Sequence, residues 1–128
     1  MMLAFTIESA PRTKKNGGNL IRRGNRMIKT NSDAFNRYEQ HALLLIRPSW
    51  RQGITNAVNV RAHYFVDANR RVDLNGLNQA LHDILVKAGV LADDSAINPP
   101  IVVGTDGSRV YVDRARPRTE VEITQLVS

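Results

Sequence analysis

Residues 70–95, RRVDLNGLNQALHDILVKAGVLADDS, decide how this chain folds and where its chemistry gathers. The spacing predicts an amphipathic helix from Asp73 to Ala88. Stepping roughly 100° per residue from Asp73 puts Leu74, Leu77, Leu81, Ile84, Leu85 and Ala88 on one stripe. Asp73 falls at the edge of that stripe, half sheltered, while Asn75, Gln79 and His82 fall on the solvent side. Gly89 suits the position just past the helix, and Lys87 suits the negative end of its dipole. Arg70 and Arg71 stand before the helix, and Asp93-Asp94 occupy a turn after it.

Outward from this stretch, the chain reads as alternating short elements. Residues 4–8 form a first strand ended by Pro11, and residues 12–18 a cationic segment. Residues 20–29 then read as a hairpin turning at Gly24-Asn25. A helix starts near Thr30 to Ser32, where Thr30 and Asp33 have capping-box spacing, and Pro48 stops it. Its apolar stripe is Phe35, Tyr38, Ala42, Leu45 and Ile46, and Trp50 packs in the loop beyond. Residues 55–66 give the cleanest strand, with Val58, Val60, Ala62, Tyr64 and Val66 alternating against Asn59, Arg61 and His63. Short strands follow at residues 101–103, around Val110 and Val112, and at residues 119–125. The order gives an α+β fold, a mixed β-sheet covered by two helices, in one domain over residues 1–128.

The chain of 128 residues is long enough for one core, and 42% hydrophobic content is ordinary for a globular domain. No apolar run reaches the roughly 18 residues of a membrane span, and the N-terminus lacks the pattern of a signal peptide. With no cysteine, disulfides and sulfur-bound zinc are excluded, and a cytoplasmic location fits. The net charge of +6 is unevenly placed. Residues 1–71 hold 13 Lys/Arg against 4 Asp/Glu, whereas residues 72–128 hold 5 against 8. Such asymmetry suggests a polyanionic partner for the first half. Arg12, Lys14, Lys15, Arg22, Arg23, Arg26, Arg70 and Arg71 are the candidate phosphate contacts; a solvated surface hairpin is the plainer reading of the same segment.

Carboxylates beside arginines suit metal-dependent chemistry on a phosphate backbone. Mg²⁺ takes one or two carboxylates, with waters and substrate phosphate completing its shell. Asp73 has a plainer role as a helix cap, and Asp93-Asp94 as a turn. No local Ser-His-Asp pattern exists, and His41, His63 and His82 lack metal-ligand spacing. A helix from Asp73 to Ala88 is on the order of 22 Å long, so Asp73 and Asp94 share an ion within one chain only if the loop folds back. Antiparallel copies of the helix in a two-fold dimer would instead bring Asp73 of one subunit to Asp94 of the other.

At these residues the sequence resembles the RusA family of crossover-junction endodeoxyribonucleases, small proteins common in phages and prophages. The family pattern runs roughly R-R-x-D-L-D-N-L-x-K, then a helix carrying an Asp, then A-G-x-x-x-D-D. Here the matching residues are Arg70-Arg71-Val72-Asp73-Leu74-Asn75-Gly76-Leu77-Asn78-Gln79, then Asp83, then Ala88-Gly89-Val90-Leu91-Ala92-Asp93-Asp94. The strong match covers about a fifth of the chain. The resemblance implies a homodimeric endonuclease, dependent on Mg²⁺ with Mn²⁺ as a substitute and on no organic cofactor. It would resolve four-way (Holliday) DNA junctions by paired nicks, in recombination and repair. Asp73 and Asp94 would bind the metal, and Asp83 and Asp93 match further acidic positions. Two positions depart from the pattern. Asn75 replaces an Asp and brings a carbonyl oxygen without charge; Gln79 replaces a catalytic Lys and cannot neutralise a developing negative charge. A slower nuclease that recruits Arg70, Arg71 or Lys87, or a junction binder with little catalysis, both fit those departures. A DNA-binding module without catalysis and a small RNA-associated protein remain as different classes. An aromatic content of 5% with no clustered exposed aromatics argues against base-stacking modes.

Overall fold

The computed structural model describes residues 2–14, 20–29, 32–69 and 71–126. In chain order the elements are β1 (Met2–Ile7), β2 (Leu20–Arg23), β3 (Arg26–Lys29), α1 (Asp33–Leu45), a single 3₁₀ turn (Pro48–Trp50) and β4 (Val58–Val66). Then come α2 (Leu74–Lys87), β5 (Val102–Gly104), β6 (Arg109–Val112) and β7 (Arg118–Gln125). The fold is α+β, with a mixed five-stranded sheet and two helices.

The alternation read at residues 58–66 is the organising fact. Val58, Val60, Ala62, Tyr64 and Val66 are all buried, while the residues between them are half-exposed. β7 lies antiparallel along one edge of β4, and β1 lies antiparallel outside β7. The other edge is shared by two short parallel partners, β5 at Val58 and Asn59 and β6 at residues 63–66. Parallel neighbours require a crossover, and α2 is that crossover. Both helices bury their stripes in the same core as the inward residues of β4, β7 and β1. Among the described residues the opposite sheet face carries no helix.

α1 begins at the C-terminal end of the expected range, Thr30 to Ser32. Its cap is Ser32, whose Oγ accepts the Phe35 amide at 3.1 Å; Thr30 lies outside the described residues. Phe35, Tyr38, Ala42 and Ile46 are buried as expected, and Leu45 is half-buried. Trp50 packs by stacking on Phe5, with ring centroids 4.7 Å apart. The hairpin turns at Gly24-Asn25, where Gly24 has φ 61°, as read from the sequence. β4 starts three residues later than the apolar pattern, at Val58.

The α2 stripe holds Leu77, Leu81, Ile84 and Leu85 as expected, and adds Ala80 and Asn78. Asn78 is buried because its Oδ1 accepts the Tyr64 hydroxyl at 2.7 Å, so β4 supplies the partner a buried amide needs. The open face also departs from expectation. Phe65 lies between Arg118, 3.7 Å from its ring, and Tyr111, stacked at 4.9 Å, with His63 edge-on to Tyr111 at 5.4 Å. Residues distant in sequence thus form an aromatic cluster that composition could not reveal.

One cation ties the helices together. Arg51 donates to the Leu43 and Ile46 carbonyls at 2.6 and 3.0 Å, where α1 ends without a basic residue of its own. The same guanidinium donates to the Ala88 carbonyl at 3.2 Å, at the end of α2. Helix C-termini leave carbonyls without partners, and here one planar fork serves both. Arg51→Ala should therefore lower stability by about 2 kcal/mol in urea unfolding, the range for hydrogen bonds from a charged donor. Arg51→Lys should recover only part of that loss, because an ammonium cannot span both helix ends.

Candidate active site

The chain leaves the carboxyl end of β4, passes through residues 67–72, and enters α2 at Asp73. Crevices in α/β units form at this kind of passage from strand end to helix start. Here a cleft of about 320 Å³ opens there, lined by Thr13, Lys14, Arg71, Asp73, Asn75, Gly76 and Gln79. Five of these residues, Lys14, Arg71, Asp73, Asn75 and Gln79, are ones the sequence singled out.

Asp73 caps α2. Its Oδ1 accepts the Asn75 amide at 3.2 Å and its carbonyl accepts the Leu77 amide at 3.0 Å. Rather than half sheltered, Asp73 is exposed, because a cap lies outside the helix and turns away from the buried stripe. No basic side chain forms an ion pair with it among the described residues. Asn75 and Gln79 are exposed one turn apart on the same side. Thr13 and Lys14 form the facing wall. Thr13 comes so close to Gly76 that a Cβ there would meet Thr13 Cγ2 at 3.2 Å. Lys14 pairs with Asp83 further along α2 and lies 5.9 Å over the Phe35 ring. Thr13 and Gly76 were not singled out from the sequence. The available signal was a glycine inside a helix, which is unfavourable unless something approaches closely.

The remaining candidates lie elsewhere. Arg12 makes a two-pronged pair with Asp67, at 3.1 and 2.8 Å, and braces the turn after β4. Arg22 and Arg26 are exposed on the β2–β3 hairpin, with the Arg22 Nε donating to the Gly24 carbonyl at 3.2 Å; Arg23 belongs to the same hairpin. Lys15 and Arg70 fall outside the described residues. Asp93 and Asp94 follow a loop anchored by Ile54, whose amide donates to the Val90 carbonyl and whose carbonyl accepts the Ala92 amide. Asp93 Oδ1 accepts the Asp94 amide at 2.8 Å.

This loop does turn back along α2, far enough for the Asp94 charge to act on His82. His82 is nine residues from Asp73, about 13 Å along the axis at roughly 1.5 Å per residue. Among the described residues no three of the His, Asp or Glu side chains come together as a metal-binding group. The donors in the cleft itself, one carboxylate and two amide side chains, are hard oxygen ligands. They fit Mg²⁺ as a site of low charge, completed by water and phosphate.

His82 corrects the helix-face reading. Expected on the solvent side, it is half-buried, and its Nε2 is sealed from solvent without a hydrogen-bond partner. Asn75 and Gln79 of the same side remain exposed, and Asp94 approaches only the His82 end of it. Burial lowers the His82 pKa below the ordinary 6.5, against a smaller opposing pull from Asp94.

Comparison with known protein families and with curated proteins finds no match to this chain. No helix among the described residues is long and apolar enough to cross a membrane.

A histidine whose folded pKa is depressed binds its proton more readily in the unfolded chain. Stability is then full above the ordinary value of 6.5 and falls as pH drops below it. The urea midpoint should therefore decline through this range, and His82→Gln should flatten that part of the profile.

Proposed function

We propose that this protein is a metal-dependent endonuclease acting as a homodimer on branched DNA, with four-way junctions as the substrate class. The observation that carries the reading is the cleft at the start of α2. There one exposed carboxylate, two amides and two cations surround a space open to a phosphodiester. The positive end of the helix dipole faces the same space and favours an anion. The resemblance to the RusA family rests on the same residues.

In this reading Asp73, with the side-chain carbonyl of Asn75, holds Mg²⁺ or Mn²⁺. Such an ion, when bound, polarises the scissile phosphate and activates water for attack. Asp73 has the geometry for this, because capping occupies one of its oxygens and leaves the other toward the cleft. Arg71 and Lys14 orient the phosphate, and the exposed Arg22 and Arg26 of the hairpin hold neighbouring backbone. Gln79 donates a hydrogen bond to a phosphate oxygen without supplying charge, so turnover is slow. Asp94 is not among the residues lining the cleft; as a second carboxylate it would come from the loop after α2, of the same chain or of the second subunit.

The test uses a labelled four-way junction with Mg²⁺ or Mn²⁺. Wild-type protein should give paired nicks, and Asp73→Asn should abolish them while junction binding persists. Asn75→Asp with Gln79→Lys should raise the rate at least about tenfold, since it adds a metal-binding charge and a cation aimed at the transition state. Binding should weaken steeply with salt. Tight binding with no metal-dependent cutting in wild type and in the Asn75→Asp, Gln79→Lys variant would leave a junction-binding protein instead.

A further inference from the structure

β6 is an edge strand with an unusual surface. β7 occupies one side of β4, and β6 takes part of the other, so the outer edge of β6 pairs with no strand among the described residues. All four of its residues are exposed. Val110, Tyr111 and Val112 are 36%, 39% and 52% accessible, so apolar side chains are open on both faces of the strand. An edge of this kind offers a row of unpaired backbone groups, which proteins ordinarily blunt with charge, proline or a covering element.

The segment Arg109-Val110-Tyr111-Val112-Asp113 is also self-complementary. Laid antiparallel on a second copy about Tyr111, it sets Arg109 against Asp113, Val110 against Val112 and Tyr111 against itself. Opposite charges, apolar pairs and aromatic pairs directly across a ladder are each stabilising. An isologous contact requires this reciprocity, in which residue i meets j and j meets i. Arg109 has no carboxylate partner among the described residues. Asp113 is fixed in place by Arg118 at 3.0 Å and by the amides of Ala115 and Arg116. That orients the carboxylate without exhausting it, since it offers about four acceptor sites. Tyr111 is likewise fixed by its stack on Phe65. The exposed residues of α2, by contrast, are the polar Asn75, Gln79 and Lys87.

We infer that β6 is the dimer interface of this protein, pairing antiparallel with β6 of a second copy and joining the two sheets into one. The inference names the surface for the dimer of the proposed function. It rests on the edge strand and not on the cleft, so its failure and that of the nuclease reading are separable.

The chain contains no cysteine, so single-cysteine variants report one position at a time. Under mild oxidation Tyr111→Cys should give a covalent dimer. Val110→Cys mixed with Val112→Cys should cross-link more strongly than either alone. By light scattering after gel filtration, wild type should run at twice the chain mass of 14.3 kDa. Arg109→Asp, which sets like charges across the ladder, should raise the dimer dissociation constant roughly tenfold or more with an unchanged circular dichroism spectrum. Wild type at monomer mass at tens of micromolar would overturn the inference. So would a dimer that survives Arg109→Asp, or one in which Tyr111→Cys forms no cross-link. A monomer that still nicks junctions would overturn this interface and leave the nuclease reading in place.

Discussion

β4 has both edges occupied and one face wholly buried, and the other strands of its sheet and both helices take their positions from that constraint. A strand whose alternate residues are all inaccessible admits no slip in register, because a shift of one residue would put Asn59, Arg61 and His63 into the core. β7 can then lie only on one edge, and β5 and β6 must share the other. Since β6 runs parallel to β4, the chain between them has to cross the sheet, and α2 makes that crossing. The candidate site is where the crossing begins.

Three different interactions shape the cleft once α2 is in place. Asp73 is fixed by its cap, a backbone requirement that also presents the carboxylate outward. Gly76 admits Thr13, and the Lys14–Asp83 pair holds the facing wall against the helix. At the far end Arg51 joins the last carbonyls of α1 and α2, and Ile54 anchors the loop that leads to Asp93 and Asp94. The helix is therefore fastened at both ends, which gives a site on it the rigid support that positioned chemistry requires.

The open sheet face illustrates how charge pairing limits function. Phe65, Tyr111 and His63 gather there as base-stacking surfaces do, yet the same face carries Glu120 and Glu122. Its arginines are engaged: Arg118 pairs with Asp113 and Glu120, and Arg61 lies 4.0 Å from Glu122. A groove that tracks a polyanion needs surplus positive charge. Around the cluster these pairs leave little positive charge in surplus, so it serves packing. Arg109 at the sheet edge is the face's cation without a carboxylate partner among the described residues.

What could be read directly from the residues was whatever depends on local periodicity. Alternation marked β4, the apolar stripe marked α2, glycine marked the end of α2, and Asp73, Asn75 and Gln79 were placed at the mouth of that helix. These features follow from the fixed periods of strand and helix, which side chains report wherever one face is buried. The sequence could not show which segments lie against those elements, because such contacts join residues dozens of positions apart. Only the tertiary structure brings Thr13 and Lys14 onto the exposed side of α2. It also seals His82, gives Asn78 its partner on β4, and engages Arg12 with Asp67. The same is true of Asp94, which only the fold of the loop after α2 brings near enough to His82 for its charge to act there.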